Sequence, residues 1–198
     1  MTPMDMLLSR ASTDHLKAPA PSEAQMAEVL AAAMRAPDHG KLRPWRYVIV
    51  KDDARSMLAE RIVASMVRLD PDVPEFKKEK RFKRFSTIPM TLVLGMHLRP
   101  EHKIPLWEQE MTVAAGAMNI LNALHALGFG AVWVSGDVVN DPVLAEELGF
   151  PAPHKLAGFL FIGTPDAPLP TPKRPDPAQF TATWQGQPVS FAADGKTP

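Results

Sequence analysis

Apolar residues recur along this chain at two different spacings, and the alternation between them outlines a fold. In "PSEAQMAEVLAAAMRAP" Met26, Val29, Leu30 and Ala33 fall on one helical face, Ser22 stands at the cap with Gln25 placed to reach back, and Pro37 closes the segment. "RYVIV", Arg46 to Val50, is apolar on both faces and predicts an interior strand. "DDARSMLAERIVASMVRL" returns to helical spacing from about Asp53 to Leu69, with acid at its start. "MTLVLGMHL" at 90–98 is a second interior strand, followed by a long helix from about Pro105 to Leu127 and a third strand in "AVWVSG". Asp141 and Pro142 start a short helix that Gly149 ends, and "GFLFIGTP" at 158–165 is a fourth strand. The order fits an α+β architecture, helices against a sheet, as a single domain over 1–198. The chain lacks a repeating βαβ rhythm and any GxGxxG opening a helix, which disfavours a Rossmann dinucleotide fold.

Two segments depart from this pattern. "DPDVPEFKKEKRFKRFSTIP", an insertion over 71–88, is bounded by prolines and carries six basic residues between Lys77 and Arg84, so a positively charged short helix or ordered loop is expected. From Pro165 onward the chain is proline-rich and polar, with "FTATW" as its one candidate ordered segment, and 166–198 reads as an extended arm.

Composition narrows the chemistry. With 198 residues the chain can bury a core without disulfides or a structural metal. Lys plus Arg and Asp plus Glu are 22 each, so no global charge draws the protein to nucleic acid or an acidic membrane, and any anion site must be local. With no cysteine there is no thiol redox chemistry, and redox work would need a cofactor. The N-terminal "MTPMDMLLSRASTDH" has acid ahead of its apolar stretch and Arg behind, the wrong order for a secretory signal, so a cytoplasmic protein is expected. The stretch Thr112 to Val134 is long and nearly uncharged, yet Asn119, Asn122 and His125 interrupt it and Gly128 and Gly130 end it. It predicts a helix buried on most of its circumference rather than a membrane span, and one too apolar for a small monomer to enclose, which points to a homodimer.

Motifs for hydrolysis and metal binding are missing: there is no GxSxG, HExxH or Walker loop, and the six histidines never pair at i, i+4. No metal site is expected. What remains is suited to anions and flat rings. "LLSRAS" places Arg10 and Ser12 together behind a short helix, a guanidinium fork and a hydroxyl for one phosphate. "MRAPDHG" adds Arg35 and His39 around a stiff proline, and "AVWVSG" brings Trp133, Ser135 and Gly136 to a strand end. "WEQEM" offers Glu108 and Glu110, but two residues apart on a helix start they point to different sides, and a favourable macrodipole position explains them.

In this order, "SRAS", "APAPSEAQ", "AAMRAPDHGKLRPWRYVIV", "IPLWEQEM", "GFGAVWVSG" and "GFLFIGTPDAP" resemble the nitroreductase family of FMN-dependent flavoproteins, in particular its compact bacterial NAD(P)H nitroreductases. The resemblance covers roughly residues 5–181. It implies a mixed or antiparallel central sheet flanked by helices in an intertwined homodimer, with FMN as cofactor and NAD(P)H and a small electron acceptor as partners. Carried onto this chain, Arg10, Ala11 and Ser12 hold FMN from one subunit. Arg35 and His39 touch the same flavin across the dimer, as do Trp133, Val134 and Ser135. Ala123, Leu124, His125, Ala126, Leu127 and Gly128 match the segment assigned to the nicotinamide donor. No side chain is named as catalytic, because the flavin carries the chemistry: hydride passes from NAD(P)H through FMN to a nitroaromatic, quinone or similar acceptor in ping-pong order.

One departure stands out. Many family members carry a second arginine directly after the first, where this chain has Ala11, losing a charge-assisted contact worth about 1.5–3 kcal/mol if buried and direct. Lys173 or Arg174 in the tail are candidate substitutes. Two rivals are kept open. One is a flavin-binding carrier or sensor without turnover. The other makes the 77–84 run, with Phe76, Phe82 and Phe85 interleaved, a nucleic-acid patch, against the simpler reading of a solvated helix whose phenylalanines pack inward.

Overall fold

In a computed structural model that describes residues 2–169 and 173–192, five strands form one sheet with helices on both faces. The helices are α1 (Pro3–Ser9), α2 (Glu23–Ala33), α3 (Ala54–Leu69), α4 (Glu75–Thr87), α5 (Leu106–Ala126) and α6 (Pro142–Glu147). The strands are β1 (Leu16–Lys17), β2 (Trp45–Lys51), β3 (Met90–Met96), β4 (Gly130–Val134) and β5 (Lys155–Pro165). The long strand β5 organises the sheet: β3 and β4 both pair with it, β1 joins at its C-terminal end, and β2 pairs with β3. Every pairing is antiparallel.

The two-residue period of the strands splits the core in two. Val93, Phe159 and Phe161 point to one face, where they meet Leu58 and Ile62 of α3, Phe85 of α4 and Leu144 of α6. Leu92, Leu94, Leu160 and Ile162 point to the other, against Met26 and Val29 of α2 and Ala117, Ile120 and Leu124 of α5. Strand β3 lies inside, with all seven residues buried. The expectation that Arg46–Val50 is interior needs correction, because β2 pairs with β3 alone and lies at the edge of the sheet, with Ile49 exposed. Its apolar character on both faces has a different cause: Val48 packs on the first cluster and Tyr47 on the second, so helices cover both faces while one edge stays unpaired.

Local chemistry sets the element ends. Ser22 Oγ accepts from the Gln25 amide at 3.3 Å and the Gln25 side chain accepts from the Ser22 amide at 2.9 Å, a reciprocal cap for α2. The basic insertion forms α4. Phe85 packs edge-on against Phe159 and Phe161, with ring centroids 5.3 and 4.9 Å apart, while Phe76 and Phe82 stay exposed. Packing of the phenylalanines inward therefore holds for one of the three, and Lys77, Lys80 and Lys83 face water. Gly116 allows α5 to approach β2: a Cβ there would lie 2.6 Å from the Tyr47 hydroxyl, whose titration burial pushes up to about 12. The "FTATW" segment has no strand or helix, and the described part of the arm holds a single 3-10 turn at Pro177–Gln179. No helix among the described residues is long and apolar enough to cross a membrane.

One buried and one half-buried polar arrangement make the fold sensitive to mutation and to pH. Asp141 caps α6 through the Val143 amide (3.0 Å), and its other oxygen accepts from Arg68 Nη2 at 2.6 Å and Nε at 3.0 Å. Burial works against the Asp141 charge, yet these hydrogen bonds hold its carboxyl below the ordinary range. Arg68→Met leaves that carboxylate buried and unpaired, and urea denaturation is expected to show a loss of about 3 kcal/mol, the low end for a broken buried pair because Arg68 is partly solvated. The His97 and His154 rings stack with centroids 4.0 Å apart, and His154 Nδ1 accepts from the Leu98 amide. Burial, His154, Arg46 and Arg99 all lower the His97 pKa below 6.5, so the unfolded chain takes up a proton before the folded one does. That contribution to stability is complete above about pH 6.5 and falls away as pH drops. The melting temperature is expected to fall below that pH in the wild type, and to fall less in His97→Asn.

Candidate functional site

Helix α1 is fixed at its start by a reciprocal cap between Thr2 and Asp5 and at its end by Ser9 Oγ, 2.9 Å from His125 Nε2 of α5. The chain then leaves the helix at Arg10 and crosses to the sheet, where the Thr13 amide donates to the Ala131 carbonyl of β4 at 3.2 Å. Arg10, Ala11 and Ser12 therefore bridge the last turn of α5 and the start of β4. Ser12 is exposed, whereas Arg10 is half-buried, with Nε and Nη1 shielded from solvent and without a hydrogen-bond partner. A shielded guanidinium edge without an acceptor is costly, and two N–H donors in a fork suit a phosphate or carboxylate.

Arg35 follows the C-terminus of α2 and lines a cleft of about 350 Å³ with Met6 and Leu7 of α1, Ala32, and Asn119, Asn122, Ala123 and Ala126 of α5. Asn119 donates to the Ala32 carbonyl at 3.2 Å, and the buried Asn122 Oδ1 has no partner. This cleft joins Arg35 to Ala123 and Ala126 from the stretch matched to the nicotinamide donor. The rest of that stretch is not one surface. Leu124 is fully buried in the core, His125 is engaged by Ser9, and Leu127 and Gly128 are exposed where the helix ends.

The loop that carries His39 is shaped by Asp38, whose carboxylate accepts from the amides of Leu42 (3.1 Å) and Arg43 (2.8 Å). His39 opens the 3-10 turn His39–Lys41, and its Nδ1 lies 2.7 Å from Glu108 Oε2 in the first turn of α5. Pro37, His39, Trp107, Glu108, Met111, Thr112 and Ala115 line a cleft of about 320 Å³. The macrodipole reading of Glu108 missed this contact, which joins residues 69 apart and leaves no local signal. Glu110, as expected, serves elsewhere, pairing with Lys155 at 3.2 Å.

Trp133 is half-buried in β4, donating Nε1–H to the Ala157 carbonyl at 3.1 Å, beside Gly158, whose φ of +137° and missing side chain make room for the indole. Val134 is half-buried and Ser135 exposed as the strand ends. Lys173 and Arg174 are exposed in the arm. A further cleft of about 410 Å³, lined in part by Glu110, Asn140, Asp141, His154 and Lys155, contains none of the residues matched to the flavin or the nicotinamide donor.

The site residues thus gather at the two ends of α5. From Glu108 to His125 the helix rises about 25 Å, at 1.5 Å per residue. Arg10 stands at one end and His39 at the other, and one chain does not bring them into a shared cleft. Between the ends α5 turns outward a stripe of Trp107, Met111, Ala114 and Met118, all exposed and spaced by four, three and four residues.

Comparison with known proteins places the chain. The chain is 32% identical over 181 residues to the Escherichia coli K12 protein named "Putative NAD(P)H nitroreductase YdjA", covering 91% of this chain and 98% of that one. It shares its fold with a nitroreductase-like family protein from Bacillus cereus (TM-score 0.81, 23% identity, 94% and 97% of the two chains covered). The same holds for a Desulfovibrio desulfuricans protein named "a putative nitroreductase in complex with fmn" (TM-score 0.66, 19% identity, 87% and 91% covered). The family description "Nitroreductase family" matches residues 7–164, and the chain belongs to the nitroreductase family.

Proposed function

We propose that this protein is an FMN-dependent oxidoreductase that works as a homodimer and passes reducing equivalents from NAD(P)H to a nitroaromatic, quinone or similar acceptor. The observation that carries the reading is Arg10: a shielded guanidinium edge with no acceptor among the described residues, at the position the family uses for its flavin. The FMN-bound neighbour from Desulfovibrio desulfuricans and the relatives named as NAD(P)H nitroreductases support it. When bound, FMN supplies hydride acceptance from the nicotinamide and delivery to the acceptor, with both partners using one site in turn.

The chain's own residues do the rest. Arg10 neutralises the phosphate with two directed donors, the exposed Ser12 hydroxyl adds a third, and Ala11 offers its backbone alone. Trp133 to Ser135 supply a strand end, stiffened by the indole bond to Ala157, against which a flat ring is held. Ala123 and Ala126 offer small side chains for the nicotinamide donor, and Arg35 in the same cleft offers a cation to the flavin.

A second copy solves the separation of the two ends. A two-fold axis near the middle of α5 lays the partner helix antiparallel, so the Glu108 end of one chain meets the His125 end of the other. The exposed stripe of Trp107, Met111, Ala114 and Met118 is then buried, as its apolar character and spacing require. His39 and Arg10 then serve one cleft from different subunits.

The purified protein is expected to be yellow and to oxidise NADH or NADPH when menadione or a nitroaromatic is supplied. A colourless protein that takes up no added FMN overturns the proposal, and a yellow one that never oxidises either donor is a carrier. Arg10→Ala is expected to weaken FMN binding by about 10- to 100-fold in a fluorescence titration, the loss of a charged hydrogen-bonding group. Met118→Arg places a charge on the exposed stripe of α5. Light scattering is expected to report a monomer, and FMN uptake should fall with it.

A further inference from the structure

His39 and Glu108 come from a loop and a helix that the sequence does not connect, yet they make the shortest contact in the His39 cleft, Nδ1 to Oε2 at 2.7 Å. Both sides are anchored independently. Glu108 sits in the first turn of α5, its own carbonyl accepting from the Thr112 hydroxyl at 3.0 Å. His39 stands on the turn that Asp38 ties down through the Leu42 and Arg43 amides. The His39 ring is 68% exposed, and among the described residues its one hydrogen bond is to Glu108.

A carboxylate can only accept, so at this contact the proton must be on Nδ1. A neutral imidazole free in water favours the opposite tautomer, with its proton on Nε2. We propose that Glu108 is a positioning residue for His39: it fixes the ring orientation and the Nδ1–H tautomer, leaving Nε2 as the single nitrogen His39 offers to a ligand. Where the ring is neutral that nitrogen is an acceptor and its partner is an N–H or O–H of the ligand, whereas the protonated ring donates from Nε2. FMN carries such donors on its ring imide and ribityl hydroxyls. The inference deepens the flavin reading and rests on it for the identity of the ligand, but the tautomer does not depend on FMN.

Glu108→Gln keeps the size of the side chain and replaces an obligate acceptor with an amide that can accept or donate, and Glu108→Ala removes the contact. Nitrogen-15 spectra of the imidazole rings in the full-length apoprotein, at alkaline pH where they are neutral, are expected to show His39 as Nδ1–H in the wild type. In both variants they should show a shift toward Nε2–H. Titration with FMN is expected to show Glu108→Gln weakened by about fivefold, one hydrogen bond's worth, with no further loss when Glu108→Gln is added to His39→Ala. An unchanged tautomer in both variants overturns the proposal, as does an equal loss from Glu108→Gln when His39 is already alanine. If the wild type takes up no FMN, the flavin reading fails instead, and the tautomer comparison still decides whether Glu108 sets His39.

Discussion

Helix α5 imposes the constraint on which the site depends. Its inner face is locked by Val113, Ala117, Ile120 and Leu124, all fully buried, so the helix cannot bend to bring its ends together. Each end nevertheless carries part of the proposed binding surface: a guanidinium and hydroxyl pair at the His125 end, an imidazole beside Glu108. The outer face between them is apolar where a monomer would place charge. A buried inner face, two separated half-sites and an unpartnered outer stripe are three consequences of one 21-residue helix that the rest of the chain is too small to wrap.

The electrostatics single out Arg10 against the other cations. The chain is neutral overall, and among its other arginines Arg68 meets Asp141, Arg84 meets Asp14 at 2.8 Å while its guanidinium lies over Phe161, and Arg55 donates to the Asp52 and Ile88 carbonyls. Arg10 has no carboxylate partner among the described residues, and two of its nitrogens have no hydrogen bond. Structural arginines are normally satisfied, since desolvating such a donor without an acceptor costs about 1–3 kcal/mol. An arrangement of this kind persists where a ligand offsets the cost. Under the flavin reading, Ala11 beside it sharpens the dependence, because a single side-chain cation would do what the family commonly divides between two.

Much of the fold was legible because periodicity is a local signal with a tertiary cause. The α2 cap, the buried strand at 90–96 and the Asp141 start of α6 follow from residues three or fewer positions apart. Edge and interior strands were not separable in the same way: Arg46–Val50 is apolar on both faces because α2, α3 and α5 cover them, and the pattern is silent on which backbone edges are paired. In α4 the sequence signal is shared between Phe85, which enters the core, and Phe76 and Phe82, which do not, and helical spacing alone could not distinguish them. Among the candidate site residues, Arg10, Arg35 and His39 were named by residue type and resemblance. Glu108 was not, because its partner arrives from a loop 69 residues away. Leu124 shows the converse limit, a residue inside a matched stretch whose side chain belongs to the core.

The stiffness of the segment from Met34 to Val50 has the same origin as the orientation of His39. Its turn needs left-handed backbone at Gly40, Lys41 and Arg43 (φ +71°, +54° and +51°), and two of these are residues for which that conformation costs about 1–2 kcal/mol. Asp38 offsets the strain by accepting from two amides with one carboxylate, charge-assisted bonds that only this tight geometry allows. Without that tie the loop would relax toward ordinary backbone angles. An imidazole with 68% of its surface in water would then sample several rotamers, since little of it is held by packing. A rigid turn and a carboxylate on the facing helix are thus complementary requirements: the first fixes where the ring is, and the second fixes which nitrogen it presents.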